Sequence, residues 1–150
     1  MDIKKLKTLR EETGVSLALC KKALEESGED LEKAKKFLQQ WGAEVLAKKA
    51  TNITQEGAIF SYVHHNKKIA SLVEIVCQTD FVAKNEDFQK LGQEIAMQVA
   101  SINANTVEEL LNQEYIRDTS KKISDLLNEA ALKFGENIKI TRFLRWQLGL

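Results

Sequence analysis

IASLVEIVCQTDFVAKNEDFQKLGQEIAMQV, Ile69 to Val99, is the stretch on which the fold turns. Its opening run, Ile69 to Val76, is apolar and rich in β-branched residues, which predicts a buried strand. Its second half places Phe88, Leu91, Ile95 and Val99 at helical spacing, which predicts an amphipathic helix. Between them lies CQTDFVAKN, Cys77 to Asn85. Asn85 can cap the helix that follows. A large aromatic directly after an acid is less expected in such a turn. Either Phe81 or Val82 packs ahead of the helix as a hydrophobic staple. Or Phe81 projects as an anchor for another protein's pocket, with Asp80 beside it as a directional charge. Spacing and composition leave both readings open.

Working outward, AIFSYV (Ala58 to Val63) reads as a strand and HHNKK (His64 to Lys68) as a polar turn, so these segments and Ile69 to Val76 predict a β-hairpin. Downstream, Thr106-Val107-Glu108-Glu109 has the form of a capping box before Leu110 and Leu111. Ile123, Leu126, Leu127, Ala130 and Phe134 mark another helix, ended by Gly135. In NIKITRFLRWQLGL, alternation predicts a strand with Ile138, Ile140, Leu144, Trp146 and Leu148 on one side, interrupted by Arg142. Lys139, Thr141, Phe143 and Arg145 fall on the other. Upstream, three short helices are expected. Ile3, Leu6 and Leu9 share a face before Thr13-Gly14; Ser16 and Asp30 can cap the second and third. The fold class is therefore α+β: a three-helix domain (1–50), a linker (51–56) and an α+β core (57–150). The core holds a small antiparallel sheet of about three strands with helices on one face. The chain contains no proline, so its turns lean on Gly, Asn and Asp.

A chain of 150 residues with 43% hydrophobic and 29% charged content reads as globular and water-soluble. No apolar run approaches the roughly 18 residues that cross a bilayer, so no membrane role is expected. MDIKKLKTLREETG lacks the apolar region of a secretory signal, although a transit peptide already removed would leave no trace. The expected location is the bacterial cytoplasm, or an organelle matrix or stroma if such a peptide has been lost. The two cysteines, Cys20 and Cys77, form no CxxC and have no nearby histidine at ligand spacing. They read as buried thiols in a reducing compartment, against the alternatives of a disulfide or redox pair. Residues 1–50 carry 11 basic and 9 acidic side chains, and residues 51–150 carry 11 and 13. Neither part has the basic excess of a nucleic-acid binder, so a protein partner or small ligand is expected instead.

Catalytic motifs are missing. There is no GxxxxGK[ST], GxGxxG or HExxH, and no Ser or Cys in an activating context. His64 and His65 are the only histidines. On an extended segment they would point to opposite sides, which favours a hydrophilic turn over a shared metal. No enzyme activity and no cofactor are expected. Leu17, Ala18 and Lys21 open the second helix and admit two readings, with Leu17 either core or contact surface. Phe134-Gly135 reads first as a helix C-terminus.

Four blocks together resemble the translation elongation factor Ts family. TDFVAKN (Thr79 to Asn85) after a valine-containing strand is similar to its signature. TGVSLALCKKALEESGEDLEKA (Thr13 to Ala34) resembles its N-terminal TG turn followed by CKKAL. EGAIFSYVHHNKKIASLVEI (Glu56 to Ile75) resembles the opening of its core, and KFGENIKITRF (Lys133 to Phe143) its GENI motif. The blocks occur in the family's order along nearly the whole chain. Departures fall at Ser16, Leu17-Ala18 and Leu19, where relatives commonly carry glycine, methionine and an acid.

The resemblance implies a ubiquitin-associated-like three-helix domain followed by an α+β core. It also implies that the partner is elongation factor Tu, met through its GTPase domain and an adjoining domain, with guanine-nucleotide exchange as the activity. It assigns Thr79, Asp80, Phe81 and Val82 to the exchange wedge, and Leu17, Ala18 and Lys21 to a second contact with the GTPase domain. Phe134 and Gly135 fall in a core interface, and His64 on the phosphate-loop side. Longer members carry two core subdomains, whereas this chain reads as one core with a compressed stretch between Ile102 and Thr119. A single-core chain could present two contact surfaces as a homodimer. The competing readings are a scaffold or adaptor that binds without exchange, and a metal-dependent enzyme using His64 and His65.

Overall fold

Side-chain caps set most helix boundaries in the computed structural model, which describes residues 1–150. Asp2, Ser16 and Asp30 accept backbone N–H groups at the starts of α1 (Ile3–Thr13), α2 (Leu17–Glu26) and α3 (Leu31–Lys48). These are the donors a helix cannot satisfy internally. Gly14, at φ 70°, ends α1 in the left-handed conformation that glycine adopts without strain.

By contacts the chain forms two compact units, residues 1–51 with 127–137, and residues 52–126 with 138–150. In the first, Leu9, Val15, Cys20, Ala23, Leu24, Ala34 and Leu38 form a core that Phe37, Trp41 and Leu132 flank. Gly42 is small for a reason: a Cβ there would meet the Asn128 backbone at 2.1 Å.

The second unit holds a three-stranded antiparallel sheet, β1 (Glu56–Val63), β2 (Ile69–Cys77) and β5 (Lys139–Gln147), in the order β1-β2-β5. The fold is thus α+β, with the small antiparallel sheet expected. Helix α5 (Glu86–Ser101) covers one face of that sheet. Phe60 and Phe88 meet with ring centroids 5.9 Å apart, and Ile75 of β2 and Ile95 and Val99 of α5 are buried as well. Before α5 comes a four-residue helix, α4 (Asp80–Ala83), which the sequence did not reveal.

After α5, Thr106 caps α6 (Val107–Asn112), while the Glu109 carboxylate accepts from the Asn105 N–H at 2.8 Å, one residue earlier than a capping box requires. A further two-stranded ribbon follows, β3 (Glu114–Tyr115) and β4 (Asp118–Lys122), and then α7 (Ile123–Phe134). The buried Gln98 side chain secures the ribbon. It donates to Gln113 and to the Glu114 carbonyl, and accepts from the Ile116 N–H at 3.0 Å.

Strand β5 corrects the expected alternation. Glu74 pairs with Arg142 and Ile75 with Ile140, so Thr141 is an extra residue, a β-bulge. One added residue reverses the side on which every later side chain emerges. Ile140 is buried as expected. Beyond the bulge, Phe143 and Arg145 turn toward α5, where Arg145 donates to the Ala100 carbonyl at 3.0 Å. Leu144 and Trp146, expected beside Ile140, are exposed on the opposite face.

Candidate partner-binding site

Each end of α4 is determined by local chemistry. Thr79 sits in an extended conformation and its hydroxyl accepts the Val82 N–H at 3.3 Å. The Cys77 thiol, last residue of β2, donates to the Thr79 carbonyl at 3.3 Å. Asn85 then caps α5 by accepting from Asp87 N–H at 2.8 Å, the role its position predicted. Val82 and Ala83 are buried, and α4 packs on β1 and β2. The aromatic between Asp80 and Val82 points the other way: Phe81 is 82% exposed. Burying a phenylalanine is worth about 1.5–3 kcal/mol, and this one forgoes it. Asp80 is also exposed, in a weak pair with Lys84 at 3.8 Å. Of the two staple candidates, then, Val82 is the residue that packs, and Phe81 is the one presented to solvent.

His64 lies at the other end of the same strand pair. Its backbone N–H donates to the Ile69 carbonyl at 2.9 Å, and its Nδ1 is 2.9 Å from the Tyr62 hydroxyl. Contrary to the expectation of opposed side chains, the His64 and His65 rings lie with centroids 4.1 Å apart, because both belong to the turn rather than to a strand. No group of three or more His, Cys, Asp or Glu side chains is arranged to hold a metal ion. Strand β2, nine residues long, separates this turn from α4, a span of about 25–30 Å. His64 and Phe81 therefore do not form one local constellation.

In the first unit, Leu17, Ala18 and Lys21 are exposed at the start of α2. Leu17 is not core; it borders an apolar groove with Ile3, Leu6, Lys7, Arg10 and Glu11. Lys21 makes only a loose pair with Glu25 at 4.0 Å. Phe134 and Gly135 end α7, with the Lys133 ammonium 5.5 Å from the Phe134 ring centre. Gly135, at φ 67°, offers its carbonyl to Lys49.

The outward sheet face is the feature that alternation alone misplaced. Ile59 and Val63 of β1, Leu72 of β2, and Leu144 and Trp146 of β5 are all exposed there. Glu74 and Arg142 pair on it at 3.2 Å, and Thr141 donates to Glu74 at 2.6 Å. The hydrogen bonds from Thr141 and then Arg142 hold the Glu74 carboxyl below its ordinary range. Elsewhere burial, followed by the hydrogen bond to Glu94, pushes the Tyr115 hydroxyl well above its usual value. Burial likewise raises the Cys20 thiol, which disfavours the reactive thiolate.

Fold and geometry define a class: an α+β protein whose sheet and helix hold an aromatic corner out toward solvent. The family model described as "Elongation factor TS" matches residues 78–148, the part that begins at this corner. The chain is 40% identical to an elongation factor Ts of Nitratidesulfovibrio vulgaris over 189 residues, covering 96% of this chain and 94% of that relative. It is 38% identical to one from a Synechococcus species, covering 99% and 76% respectively. With one from Clostridium acetobutylicum it shares 43% identity, covering 94% of this chain but 46% of that longer relative. The chain belongs to the elongation factor Ts family. The 189 aligned positions exceed the chain's 150 residues, so the alignment opens gaps in it.

Proposed function

We propose that this protein is a guanine-nucleotide exchange factor for elongation factor Tu, and that Asp80 and Phe81 press against the GTPase domain of that partner. The observation that carries the reading is the 82% exposure of Phe81 on a helix whose next two residues are buried. Thr79 and Val82 belong to the same element as its cap and its internal anchor, not as exposed contacts. Leu17, Ala18 and Lys21 supply a second contact from a ubiquitin-associated-like domain, their exposure supporting this role. Phe134, Gly135 and His64 remain further contacts under the same reading, with 1–50 and 57–150 as the functional domains.

The mechanism is linkage. A factor that binds the nucleotide-free GTPase better than the nucleotide-bound form must weaken nucleotide binding by the same factor. Phe81, inserted between helices of the partner, would displace the elements that hold magnesium and phosphate there. The nucleotide leaves, a new one enters, and no covalent step is needed. The test is release of labelled guanosine diphosphate from elongation factor Tu, with and without this protein. Acceleration is expected, with Phe81→Ala slowing it tenfold or more, since truncating an interface anchor costs about 2 kcal/mol. No acceleration by the intact chain would refute the proposal.

A second reading concerns assembly. The exposed Ile59, Val63, Leu72, Leu144 and Trp146 occupy one sheet face, and its Glu74–Arg142 pair adds no net charge. That face supports a homodimer packed sheet to sheet. Sedimentation equilibrium should give a dimer mass for the wild type and a monomer mass for Trp146→Glu. A wild-type monomer at about 50 µM, well above the dissociation constant of a standard-sized interface, would exclude it.

A further inference from the structure

We propose that Gln89 is a positioning residue for the exchange corner, acting through α4 on Phe81; this rests on the reading of Phe81 as the exchange wedge. A helix of four residues has too few internal hydrogen bonds to hold itself in water. Its terminal carbonyls need partners from outside. Lys84 N–H reaches the Asp80 carbonyl and Asn85 N–H the Val82 carbonyl, each at 3.0 Å. The carbonyl of Ala83, a residue only 8% exposed, instead receives the Gln89 side-chain amide at 2.7 Å. Gln89 is itself fixed in the first turn of α5, where its backbone N–H donates to the Asn85 carbonyl at 3.0 Å.

The bond therefore crosses the Lys84-Asn85 corner and ties the C-terminus of α4 to the rigid helix behind it. At the N-terminus, the Thr79 hydroxyl and the Cys77 thiol make the corresponding ties. Phe81 is 82% exposed and has little packing of its own to fix its direction, so its aim depends on the burial of Val82 and Ala83 beneath it and on these bonds at the two ends of α4. Holding an anchor in its bound geometry before encounter removes an ordering cost from association. Gln89 supplies that order without being the anchor.

The experiment is a double-mutant cycle in nucleotide release from elongation factor Tu, using the full chain as wild type, Gln89→Ala, Phe81→Ala and both together. Gln89→Ala should slow release about fivefold, the rate equivalent of one hydrogen bond. In the Phe81→Ala background it should cost nothing further, because nothing remains to be aimed. Amide exchange at Ala83, Lys84 and Asn85 should quicken in Gln89→Ala while that of α5 beyond its first turn is unchanged. Equal losses in both backgrounds would mean that Gln89 touches the partner directly, and would overturn the proposal. So would unchanged release by Gln89→Ala beside a slowed Phe81→Ala. If Phe81→Ala itself releases nucleotide at the wild-type rate, the wedge reading fails and the positioning role in exchange falls with it; amide exchange then still reads whether Gln89 orders α4.

Discussion

Replacing Gly92 by alanine sets two effects of opposite sign against each other. Gly92 lies inside α5, where exchange for alanine should gain about 1 kcal/mol of helix propensity. Its position says otherwise. A Cβ at Gly92 would stand 2.2 Å from Cε2 and Cζ of Phe60 and 2.3 Å from Cδ2. Carbon atoms pack best at about 3.5–4.0 Å, so the ring or the helix must retreat by about 1.3 Å or more. The ring has little room to do so: Phe60 is 3% exposed and lies against the fully buried Phe88. Overpacking costs about 1–3 kcal/mol and occasionally more, and a retreat of this size against a buried ring belongs at the upper end, which leaves a net cost of about 1–2 kcal/mol after the propensity gain. Thermal unfolding followed by circular dichroism should show Gly92→Ala melting roughly 3–6 °C below wild type, the shift expected for about 1–2 kcal/mol in a chain of this size. Adding Phe60→Leu, which trims the opposing ring, should recover part of the loss. A Gly92→Ala protein that melts higher than wild type would refute the close-approach account and leave propensity as the governing term.

Two shorter expectations concern α4 and the open sheet face. Phe81→Ala should change folding stability by less than about 0.5 kcal/mol, whereas Val82→Ala should cost about 1–3 kcal/mol, because only Val82 is buried; urea melts compare the two. The Glu74 carboxyl is held low in the folded state, so its contribution to stability is present above the ordinary carboxyl range near 4.5 and is lost as pH falls through the folded value. The wild type should therefore exceed Glu74→Gln in urea midpoint at pH 7, with the gap closing as pH falls below the ordinary carboxyl range. A gap independent of pH would place the effect in shape rather than charge.

Local chemistry explains what was legible in the sequence. Ser16, Asp30, Asn85 and Thr106 cap the helices their positions predicted, because a cap is a contact within three residues. The hairpin and its partner strand were readable for a similar reason, since alternation and turn residues lie next to each other in the chain. What escaped depends on partners remote in sequence or on a change of phase. The side taken by Leu144 and Trp146 hinges on Thr141 having no residue opposite it in the β2 register, and nothing in TRFLRW signals that extra residue. The proximity of the His64 and His65 rings follows from where the turn begins. Which of Phe81 and Val82 faces inward is fixed by a short helix too small to leave a periodic trace. His64 and Phe81, both named by resemblance, lie at opposite ends of β2, and spacing alone could not have joined them.

The bulge at Thr141 also bears on how such a surface changes over time. Ordinarily, turning a sealed sheet face into an adhesive one takes several coordinated substitutions, each of which must be tolerated in turn. Here the outward display of Leu144 and Trp146 depends on a single residue's worth of phase in β5. Insertion or deletion of one residue at the bulge exchanges the two rows of side chains beyond it, so the apolar character of this end of the sheet face is set by register as well as by composition.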